Sequence, residues 1–292
     1  MFNHNQLHEK TKLLQEILNL EKKIVGIKFL FTEKEFKKNP ADTVIGKMTY
    51  CKMVTNASNG KSMKVSFDNF GCFGAARSLG IVGIDEYYTS GRFFYPRGLY
   101  KDLAISRSVT NDITRCDHHV YGIQISPLED YETQPDVIIV VADNYQIMRM
   151  IQGYTYSYGI CKSIKMSGNQ AICSEATAYP YMQNDMNLTM LCKGARASGI
   201  GGEHGNNLAI GIVYNKFYGL IEGVGMTITA VEYNEEKERI AKLTSEFPIG
   251  KNTGYNKPFF KRDFEYFSKG KTKTSQEEEL FDNIYSEGDI TE

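Results

Sequence analysis

The chain has 292 residues, 34 Lys and Arg against 35 Asp and Glu, and 41% hydrophobic residues. That is enough chain to bury a real core, and it is ordinary composition for a globular protein. A net charge of −1 argues against nucleic acid as the main partner, because phosphate binding needs a concentrated basic surface. No apolar run approaches the roughly 18–20 residues of a membrane-spanning helix.

The first residues, Met1-Phe-Asn-His-Asn-Gln, lack the basic and apolar regions of a signal peptide. The expectation is therefore a cytoplasmic protein whose six cysteines are reduced, metal-bound or reactive rather than paired as disulfides. Trp is absent while Tyr and Phe number 19 and 16, so the interior leans on those two rings.

In chain order, Leu7, Leu13, Leu14, Ile17, Leu18 and Leu20 share one face of a helix predicted over 5–23. Ile24–Phe31 reads as a strand and Thr32–Pro40 as a connection. Thr43–Tyr50 has strand character and delivers Cys51, after which a short helix stops at Asn59-Gly60. Ser62–Phe67 alternates as a half-buried strand does and leads to Cys72. Gly74, Ala75 and Ala76 suit the first turn of a new helix. Residues 87–107, rich in aromatics and carrying Arg92, Arg97 and Arg107, have no clear assignment.

In the second half, Val137–Val141 is a β-branched run typical of a strand buried on both faces. Asp143-Asn144 caps a helix marked by Ile147, Ile151, Tyr154 and Tyr158, with Gly159 at its end. Gln170–Ile172 delivers Cys173, and Asn187–Leu191 delivers Cys192. Leu208–Tyr214 and Met226–Tyr233 read as strands, Gly219–Gly225 as turn geometry and Glu235–Leu243 as a helix. From Lys269 onward the chain is polar and acidic, as in a mobile tail.

Helices and strands alternate throughout, which indicates an α/β or α+β fold. Within it a motif recurs. Residues 72–81 read CFGAARSLGI and residues 192–200 read CKGARASGI; Cys51 precedes Cys72 by 21 residues, and Cys173 precedes Cys192 by 19. The repeat predicts two pseudo-symmetric halves, 1–134 and 135–268, joined in one compact unit and followed by the tail 269–292.

Cys51, Cys72, Cys173 and Cys192 each follow a strand-like run and open a helix or turn, where backbone N–H groups favour a thiolate. Gly74 and Gly194, two residues after a cysteine, let the backbone approach whatever the sulfur holds. Four sulfurs from two related halves suit a [4Fe–4S] cluster or a structural zinc. No ferredoxin or zinc-knuckle spacing occurs, so inert packing of small apolar thiols and a reactive thiol both stay open. Cys116 and Cys161 lie outside the repeat and read as packing.

Arg77 and Arg196 follow the second cysteine of each half. They read first as solvated helix face and otherwise as oxyanion contacts at the mouth of the site. Tyr154, Tyr156 and Tyr158 offer a ligand-lining face. Asp117-His118-His119 reads as surface. Gly199–Gly205 matches no nucleotide-binding motif, and no general acid or base stands out.

Taken together, these stretches resemble the DUF169 proteins of archaea and anaerobic bacteria from about Leu14 to Gly225. The resemblance rests on Cys51, Ala57 and Gly60; on Cys72-x-Gly74 with Leu79-Gly80; on Pro135-Asp136-Val137 with the Gln146–Tyr158 helix; and on Cys173 and Cys192-x-Gly194-Ala195-Arg196. Ile24-Val25 stands where members often show Pro-Val, which leaves the cysteines untouched. The resemblance supplies no substrate or reaction, but its association with anaerobes agrees with an oxygen-sensitive cluster.

The expected function is an iron–sulfur redox protein passing electrons to a small molecule or partner protein. The alternative is a non-catalytic small-ligand-binding protein with packed or zinc-bound cysteines, and thiol catalysis is a third reading. Assembly into a homo-oligomer is left open.

Overall fold

The computed structural model describes residues 2–202 and 205–250. The predicted tail, 269–292, lies outside the described residues, as do Glu203 and His204 of the glycine-rich loop.

Helix α1 (His4–Leu18) is capped by Asn3, whose side chain accepts from Gln6 N, and ends where Asn19 turns left-handed at φ 50°. That residue stops the helix short of the predicted 23. Strand β1 (Val25–Leu30) follows. The presumed connection after it contains α2 (Glu33–Lys38), closed by a Thr32–Glu35 capping box.

The predicted strand over 43–50 shrinks to β2 (Asp42–Thr43). Gly46 breaks the extended run at φ 71°, and the Thr49 side chain caps α3 (Tyr50–Ser58), so Cys51 is already helical. Then come β3 (Met63–Ser66), α4 (Phe73–Ser78), α5 (Glu86–Thr89), α6 (Leu103–Asp112) and β4 (Gly122–Pro127). The second half supplies β5 (Val137–Ala142) and α7 (Asn144–Tyr158), a π-helix (Ala171–Ala178), α8 (Tyr179–Gln183), β6 (Met186–Thr189), α9 (Lys193–Ala197) and β7 (Leu208–Val213). It closes with α10 (Tyr214–Met226), α11 (Ile228–Val231) and α12 (Asn234–Leu243).

The strands form one sheet, ordered β2-β3-β4-β1-β5-β7-β6. β1 and β5 pair antiparallel at the junction of the two halves. Outward from that pair run β4, β3 and β2 on the β1 side and β7 and β6 on the β5 side. The cysteines sit on elements beside these strands. Cys51 and Cys173 lie on helical elements before β3 and β6, and Cys72 and Cys192 are the N-caps of α4 and α9 just after those strands.

Alternation of side chains across the pleat separates two cores. Val137, Ile139 and Val141 face a layer built from α3, α4, the π-helix and α9. Ile138, Val140 and Ala142 face α1, α7, α10 and α12. All of β5 is buried, as the β-branched run predicts.

Two sequence expectations are corrected on the second face. Gly219–Gly225 is not a turn but the middle of α10; a Cβ on Gly223 would lie 2.8 Å from Gly153 Cα of α7, so the glycines let two helices cross at backbone contact. Met226–Tyr233 is not a strand. It finishes α10 and forms α11, with Ile228 buried in the helical layer; its period-2 look comes from Thr227 and Thr229, and Thr227 turns its hydroxyl back to Gly223 O at 2.8 Å.

No helix among the described residues is long and apolar enough to cross a membrane.

Candidate functional site

The sulfurs of Cys51, Cys72, Cys173 and Cys192 meet on the first face of the sheet. The Cys51 thiol donates to Cys192 and lies within electrostatic reach of Cys72 and Cys173. Cys173 in turn feels Cys72 and Cys192. Cys173 is buried and the other three are half-buried, so the group sits at the rim of a core rather than deep inside it.

The π-helix sets the position of Cys173, where the sequence predicts a strand end. All eight of its residues are buried. It begins at Gln170, a non-glycine residue held at φ 54°. It lies directly on β7, where a Cβ added to Gly211 would sit 2.7 Å from Ala176 Cα. Gln170 also ties three elements together: its Nε2 donates to Gly74 O at 2.6 Å, and its Oε1 accepts from the Tyr88 hydroxyl at 2.6 Å. Leu191, just before Cys192, is left-handed as well, at φ 62°. Such backbone costs on the order of 1–3 kcal/mol per residue and persists only where its surroundings enforce it. Here both residues aim a cysteine-bearing element at the same place.

The electrostatics are uneven. Cys192 is held down at about 5, first by the Cys51 thiol and then by the N–H groups of Ala171, Ala195 and Gly194, against the cost of burial. Cys51 is pushed well above the ordinary thiol range, because its proton is shared with Cys192 and because it is buried. Cys173 is also pushed up, by burial first and then by the neighbouring sulfurs. The Ser174 N–H and the Ser78 hydroxyl oppose that rise. Ser78 Oγ is fully buried with no formed hydrogen bond, and the Cys173 sulfur is the neighbour it polarises.

No basic side chain figures among the groups that act most strongly on Cys51, Cys173 or Cys192. In metal-free, reduced protein the Cys192 thiolate therefore faces Cys51 and Cys173 as thiols. Cys192 is expected to react first with iodoacetamide at pH 7, since the thiolate is the nucleophile. Its rate should fall as the pH drops through about 5, while Cys173 stays slow. Mass mapping of the alkylated cysteines checks this, and equal labelling of all four would contradict it.

The other sequence candidates divide. The side of Gly194 where a Cβ would stand is open, with only the Cys192 sulfur near it, at 3.9 Å. Gly74 is instead packed, its Cβ position 2.9 Å from Gln170 Nε2. Arg77 is not a solvated helix face, its side chain being only 11% exposed. It is ion-paired to Asp85 and lies 5.3 Å over the rings of both Tyr88 and Phe93, clamping the 85–93 segment. Arg196 donates to the carbonyls of Gly205 and Met190 and so shapes its own loop.

Tyr154 and Tyr158 are not brought to the cysteines. Tyr154 belongs to the core on the opposite face of the sheet, where its hydroxyl bonds Asp185 and Lys216 Nζ lies 5.5 and 5.3 Å over the two rings. Cys116 is buried and pushed up to about 12 by burial, as packing predicts. Asp117, His118 and His119 are exposed. Ser78, Tyr88, Gln170 and Leu191 carried no sequence signal of their role.

The family model for DUF169, described as uncharacterised ArCR, matches residues 13–223. The chain belongs to the DUF169 family. The match spans all four converging cysteines of this DUF169 chain and the strands β1 to β7 that carry them. A curated relative, the uncharacterized protein MJ0308 of the archaeon Methanocaldococcus jannaschii, is 25% identical over 194 residues, 66% of this chain and 83% of its own. No solved structure matches the chain.

Proposed function

We propose that this DUF169 protein carries a [4Fe–4S] cluster on Cys51, Cys72, Cys173 and Cys192 and serves as a redox protein. The observation that supports this most is the convergence of four sulfurs with no basic side chain among their strongest electrostatic neighbours. Four thiolates cannot share such a place unless something positive joins them.

Among the described residues no group of three or more His, Cys, Asp or Glu side chains is arranged to hold one metal ion. A [4Fe–4S] cluster takes each of four sulfurs on a different iron, whereas zinc takes all four itself, and iron and zinc analysis separates the two.

When bound, such a cluster supplies one-electron transfer to a small molecule or a partner protein. The chain's own groups tune it. N–H groups of Ala171, Gly194 and Ala195 point at the Cys192 sulfur, and hydrogen bonds of this kind shift the potential of a sulfur-ligated centre. Ser78 polarises Cys173, the open side of Gly194 leaves room beside Cys192, and the aliphatic core behind restricts water.

Protein purified without oxygen should be brown, with about four irons and four sulfides per chain. A colourless preparation, or one holding a single zinc, overturns the proposal. The depressed Cys192 supports a second reading, in which that thiolate is itself a nucleophile. Protection of Cys192 from alkylation in the iron-loaded protein separates the two.

A further inference from the structure

The excursion between α4 and β4 carries arginines that neither the fold nor the cysteine centre uses. Gly91, at φ 83°, lies so close to α6 that an added Cβ would stand 2.7 Å from Arg107 Cα. Ser106 Oγ donates to Gly91 O at 2.7 Å. This contact fixes where Arg92, the next residue, leaves the backbone relative to Arg107.

Arg92 and Arg107 line one cavity of about 610 Å³, together with Leu103, Ala104 and Ser108. Among the described residues no carboxylate lines it. Both arginines are exposed, and neither guanidinium has a hydrogen-bond, ion-pair or ring partner among the described residues. The other arginines of the region are all engaged. Arg77 pairs with Asp85, Arg97 lies 4.3 Å over Phe93 and bonds its carbonyl, and Arg115 lies over Tyr88 and bonds Thr110 O at 2.9 Å. The last acid of α6, Asp112, pairs with Lys165 at 2.9 Å.

Two guanidiniums on one concave wall repel each other unless an anion sits between them, and the planar fork of arginine matches the oxygens of phosphate and carboxylate. We infer that Arg92 and Arg107 form a binding site for a small ligand bearing an oxyanion, a phosphate or a carboxylate, whose apolar part rests on Leu103 and Ala104. The volume is that of a small-molecule site. Ser108 is shared with a second cavity of about 400 Å³. The wall of that cavity includes Ser174 and Glu175, the residues after Cys173, so the site lies one cavity away from the cysteine layer. The site stands on its own geometry and does not depend on a cluster.

Calorimetric titration of the full chain at low salt with inorganic phosphate, pyrophosphate and succinate tests it. Saturable one-to-one binding of at least one probe is expected, and whether pyrophosphate or succinate is the tighter identifies the phosphate or the carboxylate as the natural group. Arg92→Gln and Arg107→Gln should each weaken it ~10-fold. Arg97→Gln, a charge lost outside the cavity, should leave it unchanged. Absence of saturable binding, an equal loss in Arg97→Gln, or retained affinity in the Arg92→Gln/Arg107→Gln double variant would each overturn the site. All three side chains are exposed, and an unchanged circular dichroism spectrum confirms that the variants are folded.

Discussion

Anaerobically purified Cys173→Ser protein is expected to lose most of its iron and colour, whereas Cys116→Ser and Cys161→Ser keep both. Cys173 is the most enclosed of the four sulfurs, so no water replaces it as a ligand, and a serine hydroxyl is a poor substitute at a site that selects soft thiolates. Cys116 is buried too, so burial alone does not distinguish the two substitutions. Its backbone N–H bonds Ser78 O at 2.8 Å, and its thiol serves packing. Cys161 packs against the core on the opposite face of the sheet.

A second effect follows from linkage. Only the folded chain brings residues 51, 72, 173 and 192 together, so a bound metal centre contributes its binding free energy to folding. Cys173→Ser should therefore melt well below the iron-loaded parent and close to the parent stripped of metal. Iron analysis and thermal unfolding on the same samples check both halves. Unchanged iron in Cys173→Ser would remove Cys173 from the centre.

What the sequence makes legible here is what local spacing encodes. The repeated Cys-x-Gly motifs, the β-branched run of β5 and the Asp143-capped helix α7 each depend on neighbours within a few turns of chain. The π-helix escapes that reading because all its residues are buried. A helix with no solvent face has no amphipathic period, and Ala171-Ile172 before Cys173 and Ala176-Thr177-Ala178 after it resemble a strand. Gln170 and Leu191 escape it for a different reason. A left-handed backbone at a non-glycine residue is imposed by tertiary contacts and has no composition signal.

The misplaced tyrosines show a third limit. The spacing of Tyr154 and Tyr158 correctly puts them on one side of α7, but only the sheet topology decides which face α7 covers. Arg77 is similar: its burial depends on Asp85, Tyr88 and Phe93, which a loop of unassigned structure supplies.

Arg149→Leu is expected to destabilise the fold by about 3–5 kcal/mol while leaving iron content intact. Arg149 of α7 is fully buried. Its Nε donates to Glu232, Nη1 to Thr227 Oγ1 at 2.9 Å and Gln152 Oε1 at 3.1 Å, and Nη2 to Val224 O at 2.9 Å. One side chain thus fastens α7 to the end of α10 and to the segment after α11, beside the close crossing of Gly153 and Gly223. Leucine leaves the Glu232 carboxylate, only 3% exposed, with the Tyr145 hydroxyl as its remaining donor. It also removes the Arg149 donor from the Val224 carbonyl, which keeps the weaker Thr227 hydroxyl at 3.3 Å. The loss comes mainly from that stranded charge rather than from the worth of the pair itself.

Removing both charges should then recover much of the stability, so Arg149→Leu/Glu232→Leu is expected to be more stable than Arg149→Leu alone. Arg149→Lys should fall between, since an ammonium keeps the charge but cannot reproduce the fork. Urea unfolding of the parent, Arg149→Leu, Glu232→Leu and the double variant gives the coupling energy directly. Because Arg149 serves the helical face and the cysteines the other, a loss of iron in folded Arg149→Leu would mean that the two faces of the sheet are not independent. A cost below about 1 kcal/mol would place Arg149 among the many surface ion pairs that contribute little, against its complete burial.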